Sequence, residues 1–251
     1  MPLPALRDYR LQALTWQTVR QMVPTRIDTA ILPVGTVEAH GAACIGTDNI
    51  IPESIATVLA PRLNALIAPI VSHGVTRSLY AYAGSTMIQP DTFKRYILDI
   101  LLSLSHTGFR NVIILNGHGG NNGVLKEAAM EANHQFRINV AALHWWELCA
   151  EVTSGFWGES GAHAGVDETA MVMAVNPAYA TPDEYSPDML YTFTKGADVY
   201  PVPGTILSAV SGQGAPQFDL ARAKEYHALV CGKVGDFAEF VLARWRAAGF
   251  A

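Results

Sequence analysis

Short runs that are apolar at nearly every position alternate with longer stretches in which apolar residues recur at helical spacing. Residues 29–34 (TAILPV), 65–74 (ALIAPIVSHG), 111–115 (NVIIL) and 138–143 (INVAAL) read as strands buried on both faces. Between them, helical patterns run over residues 49–63, from 91 to about 106, and from about 124 to 133. Asp48 or Asn49 is the expected cap of the first, with Pro52 tolerated in its first turn, and Gly108 closes the second. A short helix capped by Thr15, with Trp16 as an apolar anchor, precedes the first strand. Further on, HAGVDETAMVMAV carries an apolar helix, with His163 before its first turn and Glu168 within it. The last helix is capped by Asp219 and runs to about Ala248. Residues 75–90 show no clean period and read as a functional loop. Residues 176–216, rich in Pro, Gly, Tyr and Thr, are expected to cover the site or to contact a neighbouring subunit.

Alternating strands and helices predict an α/β fold, a mostly parallel sheet with helices on both faces. The 251 residues suit one large domain, 1–251, without linker or repeat. Ligands of such sheets bind beyond the carboxyl ends of the strands. Three clusters fall there: Glu38 with His40, then His118, then Trp145 with Trp146. Random scatter would not place all three on one rim.

Composition narrows the function. Half of the residues are hydrophobic and 16% are charged, and the net charge of -5 with no basic run argues against nucleic acid as a partner. Cys44, Cys149 and Cys231 have neither the pairing nor the spacing of a disulfide framework or zinc knuckle. Reduced thiols, an N-terminal stretch unlike a signal peptide and no spanning apolar run lead us to expect a cytoplasmic protein without a membrane segment.

The chemistry concentrates in ILPVGTVEAHGAACIGTD and NGHGGN. Glu38 and His40 are two apart and project to one side of an extended backbone, and Asp48 follows a glycine-containing turn. Two carboxylates and an imidazole suit Zn²⁺ or Mn²⁺. His118 stands at the tip of a strand-to-helix turn among glycines, in neither a GxGxxG nor a GxxxxGK[ST] order, which favours a metal ligand over a nucleotide loop. Each residue also has an ordinary alternative. Asp48 is a good helix cap, Glu168 a first-turn acid, His163 a satisfied histidine near a helix start, and adjacent tryptophans are more often core than contact. His73, His106, His134, His144 and His227 carry no recurrent context, and there is no GxSxG.

These motifs, PVGTVEAHG with TD and a helix, then NGHGGN after a strand, then HAGVDETA, occur in an order that resembles the creatininase family of metal-dependent amidohydrolases over nearly the whole chain. The resemblance implies a creatininase-like three-layer sandwich, two divalent ions (zinc with manganese or iron) and a homohexamer acting on a small molecule. Carried onto matching positions, it implies Glu38, His40, Asp48, His118 and Glu168 as metal ligands, with Asp48 bridging. It implies His163 as the acid/base or substrate-polarising residue, and Glu168 shares the catalytic role. Creatininase has a tyrosine and a metal-binding glutamate after its motif histidine, where this chain has Gly119 and Gly120. The missing carboxylate is then expected from Glu168, and creatinine itself is not the expected substrate. The loop from His40 to Asp48 is one residue shorter than in many members. Tyr82, Ala83, Gly84 and Ser85 replace a Phe-Pro-Gly-Thr stretch. Tyr82, Ser85, Trp145 and Trp146 are the expected substrate contacts. The expected reaction is hydrolysis of a non-peptide C–N bond, in a cyclic amide or N-formyl compound, by metal-activated water. The alternatives are C–C hydrolysis of a cyclic polyol ketone at the same centre, or a non-catalytic binding or maturation role.

Overall fold

Residues buried on both faces of a strand need helices above and below, and this is the architecture found. The computed structural model describes Leu6 and residues 8–250; the rest of the N-terminal stretch read as lacking a leader, and Ala251, lie outside. In chain order the elements are α1 (Trp16–Met22), β1 (Thr29–Val34), α2 (Thr47–Leu63), β2 (Ala65–Ile67), α3 (Pro90–Thr107), β3 (Asn111–Asn116), α4 (Asn122–Phe136) and β4 (Asn139–His144). Then follow α5 (Trp145–Leu148), α6 (Ala150–Trp157), α7 (Val166–Val175), β5 (Leu190–Thr192), β6 (Ile206–Ser208) and α8 (Leu220–Ala247).

The main sheet has the order β2-β1-β3-β4, and all its pairings are parallel. Its register, Thr29 beside Asn111 and Asn111 beside Asn139, aligns the carboxyl ends of β1, β3 and β4 at Val34, Asn116 and His144. The period-2 alternation of strand side chains splits the core in two. Ile31, Ile113 and Leu115 pack with α2, α7 and α8, while Ala30, Leu32, Val112 and Ile114 pack with α1, α3 and α4.

Thr15 caps α1 by accepting a hydrogen bond from Thr18 N, Gly108 closes α3 with φ 109°, and Asp219 caps α8 by accepting from Ala221 N and Arg222 N. Three expectations are corrected. The second strand stops at Ile67, because Pro69 offers no N–H to continue the ladder; Val71 makes only an isolated bridge to Val34. α2 starts one residue before Asp48 with Gly46 as N-cap, so Asp48 stands in the first turn and its carboxylate is free for other work. The tryptophan pair opens two short helices, α5 and α6, that the sequence pattern did not predict. Residues 176–216 hold short 3-10 turns and the two-stranded β5–β6 sheet. β6 joins the segment of His163 through a backbone bridge between His163 and Leu207. No described helix is long and apolar enough to cross a membrane.

Candidate metal centre

Four of the five predicted ligands are carried by segments leaving the same rim of the sheet, and Glu168 reaches them from α7. β1 runs into the loop bearing Glu38 and His40, which ends in α2 with Asp48; β3 runs into His118. The loop before α7 supplies His163, and the first turn of α7 supplies Glu168. Glu38, His40, Asp48, His118 and Glu168 are all buried, and His163 is half-buried.

The two oxygens of Asp48 face different histidines. Oδ1 lies 3.0 Å from His40 Nε2, and Oδ2 lies 2.9 Å from His118 Nδ1. Glu168 Oε2 adds to the His40 side at 3.5 Å, and Glu38 Oε1 to the His118 side at 3.2 Å. Two groups of ligand atoms result, Glu38/Asp48/His118 and His40/Asp48/Glu168, each within 4.8 Å of one another and sharing Asp48. A third group, Glu38/His40/His163, reaches toward the histidine the sequence assigned to catalysis. His163 Nδ1 lies 3.5 Å from Glu38 Oε1 and 4.0 Å from Glu168 Oε2.

Each histidine is anchored from behind by a backbone carbonyl. His40 Nδ1 donates to Glu38 O (2.9 Å), His118 Nε2 to Val75 O (3.0 Å) and His163 Nε2 to Ala39 O (2.9 Å). With those nitrogens protonated, the opposite nitrogen of each ring turns a lone pair toward carboxylate oxygens. Such an arrangement needs protons or a cation between the groups, and carbonyl-anchored imidazoles are the outer shell typical of metal-binding histidines. Asp48 Oδ2 supports the cation: it is buried, and close to His118 Nδ1, yet the pair lacks the alignment of a hydrogen bond. With His118 Nδ1 unprotonated this buried acceptor would face a lone pair, and a divalent ion between the two fits. The residues therefore fit the metals that the sequence implied.

Without metal, the carboxylates hold protons on the histidines they face. Burial pushes His40 down, but Asp48, Glu168 and Glu38 outweigh it and raise it to about 10. His118 is likewise raised well above its ordinary value, against burial, by Glu38 and Asp48. His163 is lowered to about 4, first by burial and then by the charge of His40. Burial raises Glu168 well above the carboxylate range, with Asp48 and Asp167 adding to it against His40. Asp48 is held low despite burial by His40 and His118.

A cavity of about 1080 Å³ opens over these groups and exposes Glu38, His118, His163 and Glu168 on its wall. Gly119 and Gly120 lie open to it, and Trp146 and Phe193 flank it. Of the expected substrate contacts, Trp146 lines the cavity and Trp145 does not. Trp145 is 1% exposed and belongs to the core with α2, α7 and α8, because the start of α5 turns the two indoles apart at 83°. Tyr82 and Ser85 also lie off the cavity wall. Tyr82 donates to Val202 O (2.8 Å) and packs on Leu79, and Ser85 Oγ accepts from Ala39 N (3.0 Å), bracing the ligand loop from behind. Sequence reasoning missed the backbone carbonyls that anchor the histidines, and Asp167, which accepts from Ala162 N (3.1 Å) and so shapes the loop bearing His163. Only the adjacency of Asp167 to Glu168 in HAGVDETA hinted at it.

Comparison with known proteins identifies the family and the fold. Residues 12–218 match the family model described as creatininase, creatinine amidohydrolase. A creatinine amidohydrolase of Pseudomonas putida is 27% identical over 222 residues, covering 78% of this chain and 85% of the relative. A mycofactocin precursor peptide peptidase of Mycobacterium ulcerans is 24% identical over 65% of each chain. A 3-dehydro-scyllo-inosose hydrolase of Thermotoga maritima is 28% identical over 110 residues, 43% of this chain and 35% of the relative. The fold superposes on a manganese creatininase with a TM-score of 0.78 at 24% identity, and on a mutant creatininase of Zn-Zn type with 0.79 at 23%, each over 92% of this chain and 97% of the other. With the motifs in order, the three-layer sandwich in place and the ligand cluster assembled at its rim, the chain belongs to the creatininase family.

Proposed function

We propose that this creatininase-family hydrolase cleaves a non-peptide C–N bond, in a cyclic amide or an N-formyl compound, at a centre holding two divalent ions. The observation that carries this reading is Asp48 offering one oxygen to each of two ligand groups. His40, Asp48 and Glu168 would hold one ion; Glu38, Asp48 and His118 would hold the other. Zn²⁺ suits these nitrogen and oxygen donors, and Mn²⁺ or Fe²⁺ is compatible with them. When bound, such ions lower the pKa of a coordinated water and polarise a carbonyl oxygen.

The chain's own residues do the rest. His163 is anchored at Nε2 by Ala39 O, so Nδ1 is the atom that can take a proton from the attacking water and return it to the leaving nitrogen. Glu168 Oε2, fixed by Ala164 N (2.6 Å), lies 4.0 Å from His163 Nδ1, so its charge bears on the proton that His163 carries. Trp146, on the cavity wall, offers a flat apolar face to the substrate. Gly119, whose added Cβ would meet only Trp146 at 3.8 Å, leaves room where the resemblance places a creatininase side chain, so the substrate is expected to be bulkier than creatinine. We further propose a cytoplasmic homohexamer acting on a small molecule, which the charge, the free thiols and the family support.

The test is metal analysis of protein purified without chelator, followed by turnover of a panel of cyclic amides and N-formyl compounds. About two ions per chain and release of an amine or formate support the proposal. Bound metal with no turnover of that panel, but ring opening of a cyclic polyol ketone to an acid, would favour C–C hydrolysis, the reading that the inosose hydrolase relative suggests. No bound metal and no turnover would leave a binding role.

A further inference from the structure

We infer that Asn121 is a positioning residue that holds His118, and with it one half of the centre, in ligating orientation; this rests on the metal-binding reading above. Asn121 is completely buried between three loops. Its Oδ1 accepts from Val75 N (2.9 Å), and its Nδ2 donates to Gly35 O (3.1 Å) and Asn116 Oδ1 (3.3 Å). One amide thus ties the end of β1, the segment after β2 and the end of β3.

Two of those partners hold His118 directly. Val75 O accepts the ring proton at Nε2 (3.0 Å), and Asn116 Oδ1 accepts the His118 backbone N–H (3.2 Å). Both handles on His118 therefore depend on groups that Asn121 fixes. The fit is tight on the far side as well. A Cβ on Gly74 would collide with Asn121 Oδ1 and fall 2.8 Å from Nδ2 and 2.6 Å from Gly35 O. The glycine leaves the space that the amide fills. The other ligand group has its own support: His40 hangs on Glu38 O and Glu168 on Ala164 N, neither of which Asn121 touches. Losing the amide should therefore loosen one metal position and spare the other. A general loss of stability would weaken both.

The experiment is a Zn²⁺ titration of the chelator-stripped full chain against a chromophoric competitor, for wild type, Asn121→Ala and Asn121→Asp. Asn121→Asp keeps the shape and the acceptor for Val75 N but loses both donated bonds, so it decides the matter if Asn121→Ala does not fold. In the variants, one of two dissociation constants should rise about 10- to 100-fold, the usual effect of removing an outer-shell partner. The other should stay within about threefold, with near-UV circular dichroism unchanged. Equal weakening at both positions, or no weakening at either, overturns the positioning role. A wild type that takes up no zinc overturns the metal reading itself, and this inference with it.

Discussion

Gly120 lies against the Val75 carbonyl so closely that a Cβ on it would collide with that oxygen and fall 2.5 Å from His118 Nε2. The hydrogen bond between His118 and Val75 therefore requires glycine at 120. The resemblance to creatininase implies a metal-binding glutamate at this position. Here a side chain at that position would displace the anchor of His118, and the carboxylate facing His40 comes from Glu168, 3.5 Å away.

Gly120→Ala is expected to weaken zinc binding about 10- to 100-fold, read by competition with a chelator. Gly123→Ala is the control. Nothing lies within 4 Å of its added Cβ, and replacing a helical glycine should raise stability by up to about 1 kcal/mol. Wild-type zinc affinity in Gly120→Ala would refute the steric account.

Asp48 and Glu168 should differ in stoichiometry. Asp48→Asn weakens both ligand groups, so bound metal should fall from about two ions per chain to below one. Glu168→Gln touches one group and should leave about one ion with activity abolished. Elemental analysis after gel filtration reads both, and equal stoichiometry in the two variants would count against the shared carboxylate.

Metal uptake should release protons. In the metal-free fold His40 is raised to about 10 and His118 well above its ordinary value, so both are protonated at neutral pH. A metal takes the lone pair that each proton occupies, so about two protons per chain from the histidines, with a further contribution from the raised Glu168, should appear in an unbuffered titration near pH 7.5. The sign for stability follows. A raised folded-state pKa stabilises fully below the ordinary value of 6.5 and loses its effect as pH climbs through about 10. The melting temperature of the metal-free protein should therefore fall over that window, while that of the zinc-loaded protein should not. A metal-free protein whose stability is flat over this range would contradict the prediction.

Ala164 sits beside the site with φ 55°, a conformation that costs an L-residue about 1–2 kcal/mol. The turn aims its N–H at Glu168 Oε2 and follows directly on His163. Ala164→Gly should retain activity and gain up to about 1 kcal/mol, a rise of about 2–4 °C in melting temperature. Ala164→Val should lose stability and activity together, since branching at Cβ disfavours that region further. Thermal unfolding of both variants checks the pair.

Much of the fold was legible because strands covered on both faces must be apolar throughout, and helix ends must satisfy backbone groups locally. TAILPV and NVIIL gave way to strands, and Thr15, Gly108 and Asp219 marked helix ends where expected. Parallel connection then put Glu38, His40 and His118 on one rim, since each follows the carboxyl end of a strand. Where a residue's surroundings come from distant segments, the pattern was silent. Trp145 and Trp146 are neighbours in the chain, yet one enters the core and the other the cavity. Asp48 reads as a cap, and only the start of α2 at Thr47 frees its carboxylate for the histidines.

The chain's own pattern determined which residues can form a metal centre and which side of the sheet they occupy, because both follow from residue type and local periodicity. Tertiary structure decided which oxygen of Asp48 meets which imidazole, why Gly120 bears no side chain, and how Asn121 ties three loops together. Apart from Asp48 with His40 and Asn121 with Asn116, those contacts join segments 40 or more residues apart, at separations where a few tenths of an ångström distinguish a hydrogen bond from a collision. Spacing along the chain carries no record of such distances; packing creates them.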